Sequence, residues 1–191
     1  MRRSLLTACK LEGSVRAGLL ELARASLEGR APEGSAASAT DTLNGLAHGV
    51  FVTIQLHKKL RGCMGIMGST KPLPELIRSV AQLAAYSDPR FPPMDMDEIR
   101  QASIEVTLLG DFERLTESEL HAPEATLLIG KHGLYIRKGD YSGILLPQVA
   151  IENNFGAEEF LEALCAKAGL PPREWSRGAA VSRFEAVWVS E

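Results

Sequence analysis

The chain has 191 residues, of which 45% are hydrophobic and 24% are charged, and its formal net charge is −3. This length can bury a substantial core in one fairly large domain or in two small lobes. The acidic balance excludes a global positive field that would recruit nucleic acid or an anionic membrane. No apolar run approaches the roughly 20 residues that a membrane-spanning helix needs.

The cysteine content favours a reducing cytoplasm. The three cysteines, Cys9, Cys63 and Cys165, are too few and too widely spaced for a disulfide framework. The N-terminus, M-R-R-S-L-L-T-A-C, has the outline of a lipoprotein signal. Its apolar part is only about three residues long, against the roughly 7–15 of a working signal. We therefore interpret it as a short tail on a cytoplasmic protein.

The first half of the chain predicts one helix, a linker and a compact set of strands and helices. Residues 11–28 carry apolar side chains at spacings of three and four, which is typical of a helix. Residues 29–44 are small, polar and rich in helix breakers, which predicts a flexible surface linker. A first repeat then spans 48–109: two strands around the turn His57-Lys58-Lys59, a helix after Pro72, the extended run D-P-R-F-P-P, and an alternating strand.

The second half repeats this plan over 132–189. The run H-G-L-Y-I at His132 echoes H-G-V-F-V at His48, and two strands, a helical stretch, a proline break and a last strand follow. Each half therefore has the order strand, turn, strand, helix, proline break, strand, which we interpret as an internal duplication. The alignment pairs Gly62 with Gly143 and Cys63 with Ile144.

The run L-R-G-C-M-G places a thiol between two glycines and beside an arginine. Side chains alternate between the two faces of a strand. One face should therefore carry the apolar set and turn toward the core, and the other should carry the thiol and the guanidinium. The expected core face is Leu60, Gly62, Met64 and Ile66, and the expected opposite face is Arg61, Cys63 and Gly65.

This grouping predicts a ligand-binding or catalytic site at Cys63. A nearby Arg61 guanidinium would favour the thiolate, the form of cysteine that is nucleophilic or binds metals. Gly62 and Gly65 would let a ligand, such as a small anion, approach the backbone. The structural alternative is a small buried cysteine, with glycines that permit a bulge or tight packing of the strand on a helix.

Three more residues join the predicted site. His132, at a strand start, would hold a thiolate or move a proton, unless it only hydrogen-bonds a turn. Glu105 leaves the core face of its strand and would pair with Arg61 or Arg90, or be solvated. Arg90, held between prolines, suits a carboxylate or phosphate ligand, unless it only forms a salt bridge to Asp88 or Glu105. The predicted catalytic set is Cys63, His132 and Glu105.

Other chemistries find little support in the sequence. Cys165 shares a helical stripe with leucines and is expected to be a core residue. The sequence has no C-x-x-C, H-x-x-x-H or clustered carboxylate spacing, so we predict no metal site. The run G-C-M-G-I-M-G-S-T matches neither of the common glycine-rich phosphate-binding motifs. The cofactor, if any, is unknown.

Several runs occur in an order that resembles the AMMECR-type family: L-R-G-C-M-G, D-P-R-F-P-P, I-E-V-T-L-L, I-G-K-H-G-L-Y-I, L-L-P-Q-V-A and E-F-L-E-A-L-C-A-K-A-G-L. The family signature usually reads R-G-C-I-G, and Met64 is a mild departure from it. The resemblance implies an α+β fold with two unequal lobes and an internally duplicated β-β-α-β plan with mainly antiparallel strands. Prokaryotic members look like component A of the AmmeMemoRadiSam set, which implies association with a Memo-like protein and a radical-SAM enzyme. It implies no particular reaction.

Two functions therefore remain open. The first is a thiol enzyme, or the thiol-bearing subunit of one, built on Cys63. The second is a non-catalytic adaptor, in which the glycine-rich strand and the D-P-R-F-P-P run dock a partner protein. Nucleic-acid binding is disfavoured by the acidic charge balance. We favour the thiol hypothesis.

Overall fold

The structure, a computed structural model, describes residues 13–191. Over these residues the helices and strands are, in chain order, α1 Gly13–Leu27, α2 Ala36–Ala39, β1 Gly49–Leu56, β2 Lys59–Met67, α3 Leu73–Tyr86, α4 Met96–Gln101, β3 Ser103–Arg114, α5 Glu117–His121, α6 Pro123–Thr126, β4 His132–Lys138, β5 Tyr141–Leu145, α7 Pro147–Glu152, α8 Ala157–Lys167 and β6 Ala180–Ser190. The strands are hydrogen-bonded in the order β2-β1-β3-β6-β4-β5. The pairs β1–β2, β1–β3, β4–β5 and β4–β6 are antiparallel. The predicted α+β class with antiparallel strands is confirmed.

The described residues form two compact units of unequal length. The first unit contains the residues up to Gly110 together with Val187–Glu191, and the second contains Asp111–Ala186. Strands β3 and β6 each contribute residues to both units. Two unequal lobes are what the family resemblance implies.

The core of the first unit forms because its helices and strands each carry one apolar face. In α1 the buried side chains recur at helical spacing, as at Leu19 and Leu22. In β1 they alternate at Val50, Val52 and Ile54, each of them fully buried. Helical and strand periodicities thus converge on one cluster, where burial of apolar surface drives the packing.

The second unit has its own core between α8 and its strands. Phe160, Leu161 and Leu164 of α8 lie in one buried cluster with Leu134 of β4. Cys165 belongs to the same cluster and is 0% exposed, which confirms its predicted core position. Burial raises the pKa of the Cys165 thiol, because the thiolate loses its hydration there. None of the helices in residues 13–191 combines the length and apolar character needed to cross a bilayer.

The two halves of the chain share the same order of elements. The first runs β1, β2, α3, α4, β3, and the second runs β4, β5, α7, α8, β6. Helix α3 follows Pro72, and α4 begins with a capping box, in which the Asp95 side chain accepts from the Glu98 N–H. The predicted order is therefore present in both halves, and their common origin stays a prediction.

The predicted surface linker over 29–44 is wrong in its second half. Residues 36–39 form helix α2, and both Ala36 and Leu43 are buried in the first core. This segment packs closely because Gly18 of α1 has no side chain: a Cβ there would lie 2.9 Å from the Ala36 carbonyl oxygen. Small residues that resembled a linker in the sequence instead allow a close contact.

Other sequence predictions differ from the structure at element ends. The helical stretch predicted in the second half is two helices, α7 and α8, separated by a turn in which Asn154 has a φ of 53°. Gly169 has a φ of 70° just after α8, as expected of a residue that ends a helix. The first two residues of the predicted N-terminal helix, Cys9 and the signal-like tail lie outside the described residues.

A β-bulge in β2 changes the predicted faces of the L-R-G-C-M-G run. Gly62 pairs with Ile54 but Leu60 pairs with Gln55, so Arg61 is an extra residue in the strand. Met64 and Ile66 pack against the core, as predicted. Leu60 does not, and it is 43% exposed, because the bulge shifts it to the other face of the strand.

Gly62 allows β2 to lie directly against α3. A Cβ at this position would come 2.1 Å from the carbonyl oxygen of Ala84, which no side chain can accommodate without a backbone shift. The second unit repeats this arrangement, since a Cβ at Gly143 of β5 would come 2.9 Å from the Ala168 nitrogen. Gly62 and Gly143, which the sequence alignment pairs, therefore each allow a strand to lie directly against helix backbone.

Replacement of Gly62 by alanine should destabilise the first unit. The added methyl group must displace the Ala84 backbone, and overpacking of this kind typically costs about 1–3 kcal/mol. Urea denaturation followed by circular dichroism would measure the change. Gly13→Ala is the matched control, because no heavy atom lies within 4 Å of its added Cβ. Equal unfolding midpoints for Gly62→Ala and the wild type would contradict this account of the contact.

Candidate functional site

Cys63 lies in a row of polar side chains that crosses the strands of the first unit. The strand register places Thr53 opposite both Cys63 and Glu105. The Thr53 hydroxyl oxygen is 3.3 Å from the Cys63 sulfur, and the Ser190 hydroxyl donates to the Glu105 carboxylate at 3.2 Å. Residues directly opposite on antiparallel strands share a face, so these side chains lie together on the face opposite Met64 and Ile66. The Cys63 side chain is half-buried there.

The run after α3 holds the backbone of Cys63. The Cys63 N–H donates to Oδ2 of Asp88 at 2.8 Å, and the Arg90 guanidinium donates to the Cys63 carbonyl at 3.2 Å. Arg90 also donates to Asp88 through Nε and Nη2, at 2.9 and 2.6 Å. Asp88 is 4% exposed, so its charge depends on these donors. Asp88 and Glu105 were the two salt-bridge partners predicted for Arg90, and the structure pairs it with Asp88.

The charges of this ion pair depend on each other. Hydrogen bonding to Arg90 holds the pKa of Asp88 well below its usual range, against the opposing effect of burial, and the Cys63 N–H adds to the lowering. Asp88 in turn raises the pKa of Arg90, and the Cys63 side chain contributes in the same direction. Arg90 is therefore a permanently charged group close to the thiol.

Arg61 takes a different position from the one predicted. Its guanidinium forms a two-point ion pair with Glu98 of α4, with both N–O distances 2.8 Å. This pair raises the pKa of Arg61 and lowers that of Glu98. The Arg61 and Arg90 guanidinium carbons lie 5.8 and 5.5 Å from the centre of the Phe91 ring, within range of cation–π attraction. The cation that contacts Cys63 is thus Arg90, while Arg61 fixes α4.

The two glycines of the run each have a packing role. Gly62 accommodates the Ala84 carbonyl, and Gly65 accommodates the Phe51 ring, whose nearest carbon would lie 2.4 Å from an added Cβ. This is the structural alternative that the sequence analysis kept open. Ligand binding by Gly62 and Gly65 stays a prediction.

His132 belongs to the second unit, at the start of β4. Its Nδ1 accepts a hydrogen bond from the Leu128 N–H at 3.1 Å, as in the turn-bonding alternative. Burial lowers the pKa of His132, and Arg183 and Lys131 lower it further. The imidazole is therefore held neutral, with Nε2 as its protonated nitrogen.

Two further features concern possible ligands. Among residues 13–191 no three His, Cys, Asp or Glu side chains are grouped so that they could hold a metal ion. The second unit contains a cleft of about 650 Å³ lined by Arg114, His121, Arg173 and Trp175 among others. Its lining includes none of the predicted site residues, so the cleft and the thiol are features of different units.

Sequence reasoning missed Thr53 and understated Asp88. Thr53 carried no motif, and its position opposite Cys63 depends on the bulge at Arg61. Asp88 was considered only as a partner of Arg90. The signal that could have identified it is the spacing, because Asp88 follows directly after a helix that must pack on the strand of Cys63.

The chain is similar in sequence to several archaeal proteins. A protein of Methanosarcina acetivorans is 40% identical over 173 residues, covering 87% of this chain and 86% of its own length. A protein of Methanococcoides burtonii is 39% identical over 183 residues, covering 95% and 88%. The crystal structure of the uncharacterised protein PH0010 from Pyrococcus horikoshii matches with a TM-score of 0.75 and 33% identity, over 94% of this chain and 90% of that one. The AMMECR1 family model matches residues 20–189, and the chain therefore belongs to the AMMECR1 family.

Proposed function

We propose that this AMMECR1-family protein carries a nucleophilic thiol at Cys63. The observation that carries the proposal is the Arg90 guanidinium, which donates to the Cys63 carbonyl at 3.2 Å. A fixed cation beside a cysteine favours the thiolate, which is the nucleophilic form. The thiol is half-buried, so it is neither sealed in the core nor fully solvated.

Neighbouring groups support this role by orienting the sulfur. The Thr53 hydroxyl, 3.3 Å from Sγ, can donate to a thiolate. Asp88 anchors both the Arg90 guanidinium and the Cys63 N–H, so the cation and the nucleophile are held by one carboxylate. Asp88 and Thr53 are positioning residues in this proposal, and Cys63 is the catalytic residue.

The other predicted catalytic residues have no step assigned to them. Glu105 lies opposite Thr53 and accepts a hydrogen bond from the Ser190 hydroxyl, so its carboxylate helps to fix the polar side chains beside Cys63. His132 lies in the second unit, where its Nδ1 accepts from the Leu128 N–H. The setting that we propose is the reducing cytoplasm, where Cys63 stays a thiol.

We further propose that the protein acts with a Memo-like protein and a radical-SAM enzyme. The support for this is the family resemblance described above, which implies both partners. An adaptor role at the same surface is the second candidate. It is favoured by the exposed apolar side chains of Leu60 and Met96, which are 43% and 40% exposed near the ends of β2 and α4.

Cys63 should react with iodoacetamide much faster than Cys165 at neutral pH. Cys165 is fully buried and its pKa is raised, whereas Cys63 is partly accessible beside a cation. Peptide mass spectrometry after timed alkylation would give both rates from one sample, and Cys165 serves as the internal reference. Arg90→Gln should slow the alkylation of Cys63 about three- to tenfold, since the thiolate loses its cation.

The matched variants separate charge from structure. Arg90→Lys keeps a positive charge and should retain most of the rate. Arg61→Gln should change the rate less than twofold or so, because its guanidinium is bound to Glu98. If Cys63 is as slow as Cys165, or if Arg90→Gln leaves its rate unchanged, the proposed thiol site is wrong.

Asp88→Asn should destabilise the protein in a pH-dependent way. Loss of the charge-assisted hydrogen bonds costs about 2 kcal/mol at neutral pH. Because the folded-state pKa of Asp88 is lowered, its contribution is complete above the unfolded value of about 3.9 and is lost as the pH falls below it. The difference in unfolding free energy between wild type and variant should therefore shrink as the pH is lowered.

Urea denaturation at several pH values would test this. Asp97→Asn is the matched control, since the Asp97–Arg100 pair is exposed and such pairs stabilise little. A difference between wild type and Asp88→Asn that stays constant down to acid pH would show that the Asp88 carboxylate is not stabilised in the folded state.

Co-expression would test the proposed partners. The tagged protein should co-purify with a Memo-like protein, and Leu60→Glu should abolish that association if the exposed apolar side chains form the docking surface. Cys63→Ser should leave it intact. The opposite pattern, loss of association with Cys63→Ser alone, would contradict the separation of docking from chemistry.

A further inference from the structure

Among the described residues β2 is an edge strand, since the strand order gives it one hydrogen-bonded neighbour, β1. The Gly68 N–H donates to the His48 carbonyl, which places position 68 among the residues that bond to β1. In an antiparallel pair such residues alternate with residues whose N–H and C=O point away. Cys63, Gly65 and Met67 therefore direct their backbone groups outward from the sheet.

At Cys63 these outward groups are already occupied. The Asp88 carboxylate accepts from the Cys63 N–H at 2.8 Å, and the Arg90 guanidinium donates to the Cys63 carbonyl at 3.2 Å. One acceptor and one donor at this spacing are what a residue of a neighbouring strand would offer. The Asp88–Arg90 pair thus takes the place of one residue of an adjacent strand.

Gly65 and Met67 also direct their backbone N–H and C=O groups outward from β2, but among the described residues these groups have no such partners. Within residues 13–191 no side chain or loop backbone hydrogen-bonds to the outward N–H or C=O of either residue. Gly65 is half-exposed and has no side chain of its own, and Met67 is 40% exposed. Unpaired groups along an exposed edge are a template for another strand.

We propose that an extended polypeptide segment adds to β2 at Gly65 and Met67 and ends against the Asp88–Arg90 pair. A peptide backbone has the alternating donors and acceptors that these positions lack, whereas a small anion would meet both an N–H and a C=O at each of them. The class of partner is therefore an extended peptide, recognised mainly through its main chain. Specificity would come from the side chains that it places on the two faces of the sheet.

The added strand would also bring a side chain to the thiol. The peptide residue opposite Gly65 shares the face of Gly65 and Cys63, and it lies diagonally from Cys63, within reach of a long side chain. The Phe51 ring over Gly65 would form one wall for it. This point rests on the proposed function, and it names a polypeptide as the substrate of the Cys63 site.

The test uses random heptapeptides displayed on phage and selected on the full-length protein. The best binder is then labelled with fluorescein, and its affinity is measured by fluorescence polarisation. Met67→Pro removes one outward N–H at an edge position, where proline is tolerated, and should weaken binding about tenfold or more. Met67→Ala removes only the side chain and should retain most of the affinity.

A second measurement guards against misfolding of the proline variant. In the wild type, the bound peptide should slow amide hydrogen exchange at Gly65 and Met67. Failure to select a binder, equal affinity for Met67→Pro and wild type, or unchanged exchange at both amides would overturn the proposal. Cys63→Ser should still bind the peptide. Peptide binding without fast alkylation of Cys63 would support strand addition and reject only the thiol role.

Discussion

The close approach of Gly62 to Ala84 is the contact on which the arrangement around Cys63 depends. Ala84 lies in the last turns of α3, and Asp88 follows it by four residues. Because the helix can touch the strand backbone at Gly62, the chain that leaves the helix passes beside Cys63. Asp88 then reaches the Cys63 N–H, and Arg90 reaches the Cys63 carbonyl. Because Gly62 has no side chain, the Asp88–Arg90 ion pair can lie beside Cys63.

The second half of the chain shows the same contact without the charges. Gly143 meets Ala168 as Gly62 meets Ala84. The residue four positions after Ala168 is Pro172, and the residue beside Gly143 is Ile144 instead of a cysteine. The backbone contact is common to both halves, whereas the thiol and its ion pair occur in one. This difference is what we expect if packing maintains the shared plan and chemistry acts on one copy.

Much of the fold could be predicted from the sequence, because the apolar periodicities of α1, β1 and β3 are clear and Pro72 marks a helix start. The predictions failed where a local pattern had two structural solutions. Small residues over 36–43 are compatible with a linker or with close helix contact. The absence of a side chain at Gly18 of α1 is what permits the close contact. The choice depends on a residue far away in the chain, which periodicity cannot reveal.

The candidate site was predicted in part for a similar reason. Cys63 and Arg90 were both identified from local sequence composition, and the structure places them in contact. The assignment of the cation to Arg61 rested on strict strand alternation, which the bulge interrupts. Charged residues also had several possible partners in the sequence, and the choice of Glu98 for Arg61 follows from the position of α4.

The bulge at Arg61 also limits how the hairpin of β1 and β2 can change in length during evolution. Thr53 faces Cys63 only because one surplus residue offsets the two strands. Deletion or insertion of a single residue between these positions would rotate the Cys63 thiol away from the Thr53 hydroxyl and expose core side chains to water. Variation at this hairpin tip should therefore be confined to substitutions or to paired length changes that keep the offset.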